Sequence, residues 1–303
     1  MSSLLKETYK NPADLHCSPK MHEHAEKDRT CFSLDELKLI ASEFNKKSDQ
    51  KITATTKKGL AAALLKAYKP ICDKNQYCWI KQTLAHTNSN TSAKLSKLES
   101  NFRVKMPTEW VNNQNTWLNT YDILYVMKQY EELYKDFVFL NVTPIDFAEK
   151  NSFGRCIGDM LCDFNVKDLL SKGKTRFGIV FNTDPSTRGG QHWIMMYCNL
   201  DSKKPNYGIY FYDSVASPAP HQVKKFMKKI VDQVAQLAGE NSAKFECKEN
   251  KIQRQFSNYD CGMFCIVFMT QCLKNIKFDE ICKRMYTDKQ INALRKVLYR
   301  PPA

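Results

Sequence analysis

Long apolar runs are missing from this 303-residue sequence. Its longest strongly apolar stretch, residues 261–269, falls far short of the roughly 20 residues that cross a bilayer, so no membrane insertion is expected. The N-terminus, MSSLLKETYKNPADLH, lacks the apolar segment of a secretory signal, which implies synthesis in the cytosol. Internal repeats are missing too. The twelve cysteines follow no regular framework; without a signal, most are expected to be reduced thiols packing as small hydrophobes. His16, Cys17, His22, His24 and Cys31, or Cys72 and Cys78, are metal ligands by residue type only. Their spacings match no common zinc pattern, so neither a metal nor a cofactor is expected. Acidic residues are in short supply: 32 Asp and Glu face 46 Lys and Arg, a net charge of +14. The excess is 6 in residues 1–100 (17 basic, 11 acidic) and 8 in the rest (29 basic, 21 acidic), so it is no basic tail. Such a charge suits polyanions and makes non-specific DNA binding a candidate property. A solvated basic surface with no specific partner accounts for it equally well.

What is present is ordinary globular material, with 43% hydrophobic and 26% charged residues and enough length for a sizeable core. Residues 1–30 are polar and read as a loosely ordered arm. Residues 33–45 read as an amphipathic helix: Ser33 can cap it with Glu36 three residues on, and Leu34, Leu37, Ile40, Ala41 and Phe44 share a face. A second helix is expected over residues 57–67. Together these suggest a small helical accessory domain with a weak likeness to SAP-type docking modules. Residues 86–101 are rich in Ser, Thr, Asn and Lys and read as a linker, which divides the chain into 1–100 and 101–303. Beyond it, residues 117–134 are helical, and FGIVF (177–181), WIMMYC (193–198) and YGIYFY (207–212) are apolar enough to be strands covered on both faces. A basic helix over residues 222–237 puts Val223, Phe226, Ile230, Val234 and Leu237 on one side and Lys224, Lys225, Lys228 and Lys229 on others. Residues 245–252 read as a fourth strand, and helices from Cys261 and over 289–298 complete an α+β arrangement.

Three features sit at the edges of these elements. Gln191-His192-Trp193 opens one strand, Tyr212-Asp213-Ser214 closes the next, and Asp260-Cys261-Gly262 joins a polar loop to the apolar helix. If the two strands are antiparallel neighbours, the start of one lies beside the end of the other. Asp213 can then hold the His192 imidazole in one tautomer, as triad chemistry requires. Cys261 at a helix N-terminus meets unpaired N–H groups and the helix dipole, which favour a thiolate nucleophile. An oxyanion hole needs two donors: the Cys261 backbone N–H is one, and a side-chain amide from Gln253 or Gln255 is the other.

The order QHWIMMYC, YFYDS, QFSNYDCGMF resembles the SUMO-protease and adenovirus-protease superfamily of cysteine proteases. TWLNTYDI resembles the Trp-Leu-Asn-Asp segment of SUMO proteases, with Thr120 at the place of its last Asp. FNTDPSTRGGQHW, and YFYDSVASPAP followed by a basic helix, are more similar still to the polyprotein-processing proteases of large cytoplasmic DNA viruses, such as that of African swine fever virus. That enzyme has Asn where this chain has Asp213. The resemblance covers about residues 105–290. It implies a papain-like, SUMO-protease-like core, a central mixed sheet flanked by helices, preceded by a mainly helical arm domain. It implies Cys261 as nucleophile, His192 as base, Asp213 as its orienting partner and Gln255, six residues before the cysteine, as oxyanion donor. Trp193 would lie over the substrate backbone and admit only small residues beside the scissile bond, with Trp117 and Asn119 also contacting substrate. The implied partners are viral capsid or core precursors, met in the host cytoplasm and the virion. Processing of ubiquitin-like modifiers, acetyl transfer and a nucleic-acid-binding core protein on a protease scaffold are the competing readings.

Overall fold

The computed structural model describes residues 15–85 and 89–302. It divides into two compact units, Met1–Thr108 with Lys296–Ala303, and Glu109–Arg295.

The first unit is helical. It carries α1 (His22–Asp28), α2 (Leu34–Asn45), α3 (Lys57–Cys72), α4 (Gln76–Leu84) and α5 (Ser89–Lys97). At the start of α2 the capping box is complete: Glu36 N–H donates to Ser33 Oγ (3.3 Å), and Ser33 N–H to Glu36 Oε2 (2.7 Å). The apolar stripe that follows joins a core with Phe32, Leu60, Leu64, Trp79 and Phe102.

Three expectations need correction here. The part of the arm that the structure describes is not loose. Cys17, Met21 and Ala25 are buried in this core, and a Cys17–Cys31 disulfide closes the segment; residues 1–14 lie outside the described residues. The polar stretch 86–101 is no linker beyond the undescribed residues 86–88. It forms α5, where Leu95 and, just past the helix end, Leu98 are three apart and buried, while Lys94, Ser96 and Lys97 face water. Half the cysteines are paired, not reduced: Cys17–Cys31, Cys72–Cys78 and Cys156–Cys162. The cysteines considered as metal ligands are thus spent on disulfides.

The second unit is built on a five-stranded mixed sheet. Its strands are β1 (Phe137–Pro144), β2 (Arg176–Asn182), β3 (Trp193–Asn199), β4 (Gly208–Tyr212) and β5 (Glu246–Glu249). They lie in chain order, with β1/β2 and β4/β5 parallel and the central pairs antiparallel. Helix α6 (Thr120–Leu133) precedes β1, and the short α7 (Val166–Ser171) precedes β2. Helix α8 (His221–Ala238) covers one face: its Val223, Phe226, Ile230 and Val234 meet Phe177, Ile179 and Phe181 of β2 and Met196 of β3. Leu237, expected on that side, is exposed in the last turn. Helix α9 (Cys261–Leu273) covers the other face. Every one of its residues is buried, because the sheet lies on one side of it and α6 and α11 (Asp288–Ala293) on others. A helix apolar all round belongs in such a central place. Between α9 and α11 runs α10 (Phe278–Lys283). Gly178 on β2 lets α9 approach closely, since a β-carbon there would stand 2.4 Å from Met269 Sδ.

Candidate active site

The register of β3 and β4 decides what meets at their ends. Met195 pairs with Tyr212, so His192, just before β3, and Asp213, just after β4, arrive side by side. His192 Nε2 donates to Asp213 Oδ1 at 2.7 Å. Asp213 is buried, and its carboxylate also accepts from the N–H groups of Val215 (3.0 Å) and Ser217 (3.2 Å), so turn geometry fixes it. Asn250 clamps its backbone from both sides, accepting from Asp213 N–H (2.8 Å) and donating to its carbonyl (2.7 Å). With Nε2 committed to Asp213, Nδ1 is the ring nitrogen left for the Cys261 thiol. Burial on its own would lower the pKa of His192. Hydrogen bonds to Asp213 and Cys261 outweigh it and push the imidazole up to about 9.

Cys261 is the first residue of α9. Asp260 before it does not cap the helix with its side chain. Its carboxylate instead takes Ser257 Oγ (2.8 Å), Asn292 Nδ2 (2.9 Å) and the buried Arg295 guanidinium (3.5 Å). Burial pushes the Asp260 carboxyl up in pKa despite these partners. The first-turn N–H groups of α9 therefore have neither intrahelical acceptors nor a side-chain cap. Burial pushes Cys198, Cys247, Cys265, Cys272 and Cys282 up in pKa, which keeps them protonated.

Gly262 leaves little room for a side chain: a β-carbon would lie 3.0 Å from Leu118 Cβ and 3.2 Å from Trp193 Cδ1. Trp193 is buried and donates its indole N–H to the Leu118 carbonyl (2.8 Å). The segment Trp117-Leu118-Asn119 thus abuts the residue after Cys261. Asn119 caps α6, accepting from Asp122 N–H at 2.9 Å, while Trp117 is half exposed. Trp117, Asn119 and Trp193 line an open cavity of about 590 Å³ together with Thr143, Asp184 and Gly190. Cys261, His192, Asp213 and Gln255 do not line it, so Trp193 is the link between cavity and chemical cluster. Gln255 is buried in the loop before α9. Its Nε2 donates to the Ser257 carbonyl (2.7 Å), and Gln253 Nε2 donates to the Gln255 carbonyl (2.8 Å). Asn250, which clamps Asp213, lies in no motif that would single it out in the sequence, and Ser214 and Leu118 fall inside YFYDS and TWLNTYDI without a role that the sequence assigns them. Among the described residues no cluster of side chains has the make-up of a metal site, and no helix is long and apolar enough to cross a membrane.

Comparison with known proteins places this geometry. The model of a family described as YopJ serine/threonine acetyltransferase matches residues 143–300, just over half the chain. The chain belongs to that family. Curated relatives carry a different chemical label. A putative thiol protease of Acanthamoeba polyphaga mimivirus is 24% identical over 300 residues, spanning 94% of this chain and 93% of the relative. The SUMO-1 cysteine protease of African swine fever virus is 26% identical over 124 residues, 41% of this chain and 44% of that protein. The crystal structure of the African swine fever virus protease shares the fold, with a TM-score of 0.63 at 17% identity over 96% of this chain and 98% of that one. In fold and in sequence the chain is similar to cysteine-type peptidases of the SUMO-protease-like viral kind.

Proposed function

We propose that this chain is an endopeptidase that cleaves viral structural polyproteins at small-residue, Gly-Gly-X-like sites during virion maturation, in the host cytoplasm and the virion. The observation that carries the reading is the His192–Asp213 hydrogen bond, with Cys261 near enough to the same imidazole to help raise its pKa. In this mechanism His192 takes the Cys261 proton, and the thiolate attacks the scissile carbonyl carbon. The oxyanion that forms accepts from the Cys261 N–H and from Gln255 Nε2. His192 then protonates the departing amine, which leaves a thioester on Cys261. Water, deprotonated by His192, attacks the thioester; the free acid leaves and the thiol is restored. Trp193, pinned to Leu118 and packed against Gly262, favours acyl groups without bulky side chains. Residues 1–100 act as an arm domain and residues 101–303 as the catalytic domain. The test is mass spectrometry of products from candidate viral precursors. Wild type is expected to release fragments with new termini after small residues, and Cys261→Ala none; equal cleavage by both ends the proposal.

Two other readings rest on particular observations. The family description favours acetyl transfer, in which acetyl-coenzyme A forms the thioester and a Ser or Thr hydroxyl of a protein accepts it. Acetylated protein that appears only with acetyl-coenzyme A would support it. One relative's name favours action on SUMO-like modifiers, which a reactive probe on a SUMO C-terminus reads directly. Non-specific DNA binding, motivated by the net charge of +14, can accompany any of these, or stand alone in a core protein on a protease scaffold. It predicts affinity that falls steeply with salt.

A further inference from the structure

Ser214 is buried at 1% exposure, and its hydroxyl donates to Gln255 Oε1 at 2.6 Å. The other end of the same amide fixes which way it faces. Gln255 Nε2 donates to the Ser257 carbonyl at 2.7 Å, a bond that an amide oxygen there could not make. The Ser214 carbonyl accepts from the N–H groups of Arg254 (2.8 Å) and Gln255 (2.9 Å). One residue therefore holds both the backbone and the side chain of Gln255. Ser214 also follows directly on Asp213, which holds His192 and is itself clamped by Asn250.

We infer that Ser214 is a positioning residue: it aims the Gln255 amide and, through one peptide link, ties that aim to the Asp213–His192 pair. A primary amide has two N–H groups. Ser257 occupies one, and the Ser214 hydroxyl keeps the amide from turning, so the second stays available to the substrate carbonyl. Removing the hydroxyl leaves a buried Oε1 without its donor, and the amide then reorients to satisfy it. The inference rests on the reading of Gln255 as oxyanion donor and goes beyond it by naming what sets that donor's direction.

Two reactions of the full chain separate the roles. Cleavage of a fluorogenic Gly-Gly-X peptide passes through an oxyanion. Alkylation of Cys261 by iodoacetamide, followed on its own peptide by mass spectrometry, forms no oxyanion and reports on the Cys261–His192 pair alone. Ser214→Ala is expected to lower kcat about tenfold, with KM and the alkylation rate unchanged. Gln255→Ala is expected to lower kcat by about 10²–10³, again with normal alkylation. Ser214→Thr restores the hydroxyl and most of kcat. If Ser214→Ala does not fold, Ser214→Cys, close in shape and a weak donor, serves the same comparison. Wild-type kcat in Ser214→Ala beside an impaired Gln255→Ala overturns the inference and leaves the Gln255 reading standing. Alkylation that falls in step with kcat also overturns it, since Ser214 would then act through His192 or the fold. Undiminished kcat in Gln255→Ala removes the oxyanion reading, and the inference with it.

Discussion

Replacing Asp213 with Asn keeps the shape of the side chain and removes its charge. An Asn oxygen can still accept from His192 and Val215, while its amide group faces the Ser217 N–H that the carboxylate now satisfies. What goes is the charge beside the imidazole. In the wild type, burial would lower the His192 pKa, and hydrogen bonds to Asp213 and Cys261 raise it from 6.5 to about 9. A raised histidine pKa means that folding favours the protonated ring. That stabilisation is fully present below 6.5 and is lost as pH rises through about 9. At about pH 7.5, a group of pKa about 9 is protonated in ~97% of molecules and one of pKa 6.5 in ~9%, roughly a tenfold difference. Cys261 supplies part of the lift and burial pulls the other way, so tenfold is the order of magnitude of what Asp213→Asn removes through charge.

The assay is kcat/KM on one peptide substrate across the pH range, for both proteins. The alkaline limb, where the imidazolium loses its proton, is expected near pH 9 in the wild type and shifted toward 6.5 in Asp213→Asn. The variant then keeps much of its activity in mild acid and loses it at neutral pH. An alkaline limb at the same pH in both proteins would refute the charge role and leave Asp213 only an orienting one.

Other tests concern the frame around the site. Gly178→Ala drives a β-carbon against Met269 Sδ and is expected to cost about 1–3 kcal/mol in thermal or urea unfolding; wild-type stability would show that the Met269 side chain gives way without loss. Replacing Cys156 and Cys162 together by Ser opens a short loop that carries Ile157 into the cavity wall, and chain entropy puts the loss at about 2 kcal/mol. Equal urea midpoints for this variant and the oxidised wild type would mean that the loop is held by packing alone. Burial would raise the Asp136 carboxyl, but Arg176 and Lys204 hold it down at about 2. Its depressed pKa contributes stability above the ordinary value of 3.8 that is lost as pH falls toward 2. The stability gap between wild type and Asp136→Asn should therefore close in acid, and a gap independent of pH would exclude the ion cluster as its source.

Local signals carried far in this sequence. Ser33 and Glu36 state their capping box three residues apart, and the structure forms both of its bonds. The apolar runs of β2, β3 and β4 announce strands buried on both faces, and their antiparallel order brings His192 to Asp213. What stayed hidden depends on partners distant in sequence. Strand β1 sits at a sheet edge with its alternation broken where the register shifts between Phe139 and Asn141, so its period does not mark it, although Phe137, Val138 and Phe139 are strand-forming residues. The disulfides, between cysteines 14, 6 and 6 residues apart, stayed hidden for a different reason: the reading of the N-terminus argued for reduced thiols. Ser214 and Asn250 are small polar residues whose importance lies in what they hold. In the opposite sense, Ser, Thr, Asn and Lys in residues 86–101 suggested a linker, whereas a buried Leu95 and Leu98 suffice to seat a helix over Ser89–Lys97.

The family description and the names of the relatives differ in the acceptor, not in the first chemical step. Peptide hydrolysis and acetyl transfer both put an acyl group on a cysteine sulfur, and both need an imidazole to take the thiol proton and an oxyanion hole for the tetrahedral intermediate. A site that admits only small acyl groups would not separate them either, because a glycyl and an acetyl carbon alike bear no side chain. They part at the second step. If water takes the acyl group, the target gains the mass of water and two new termini appear. If a Ser or Thr hydroxyl takes it, the target gains an acetyl group and its chain stays whole. Mass spectrometry of one target, incubated with and without acetyl-coenzyme A, reads both outcomes. Cleavage that proceeds equally in both incubations identifies water as the acceptor, and loss of both products in His192→Ala ties them to the same thioester.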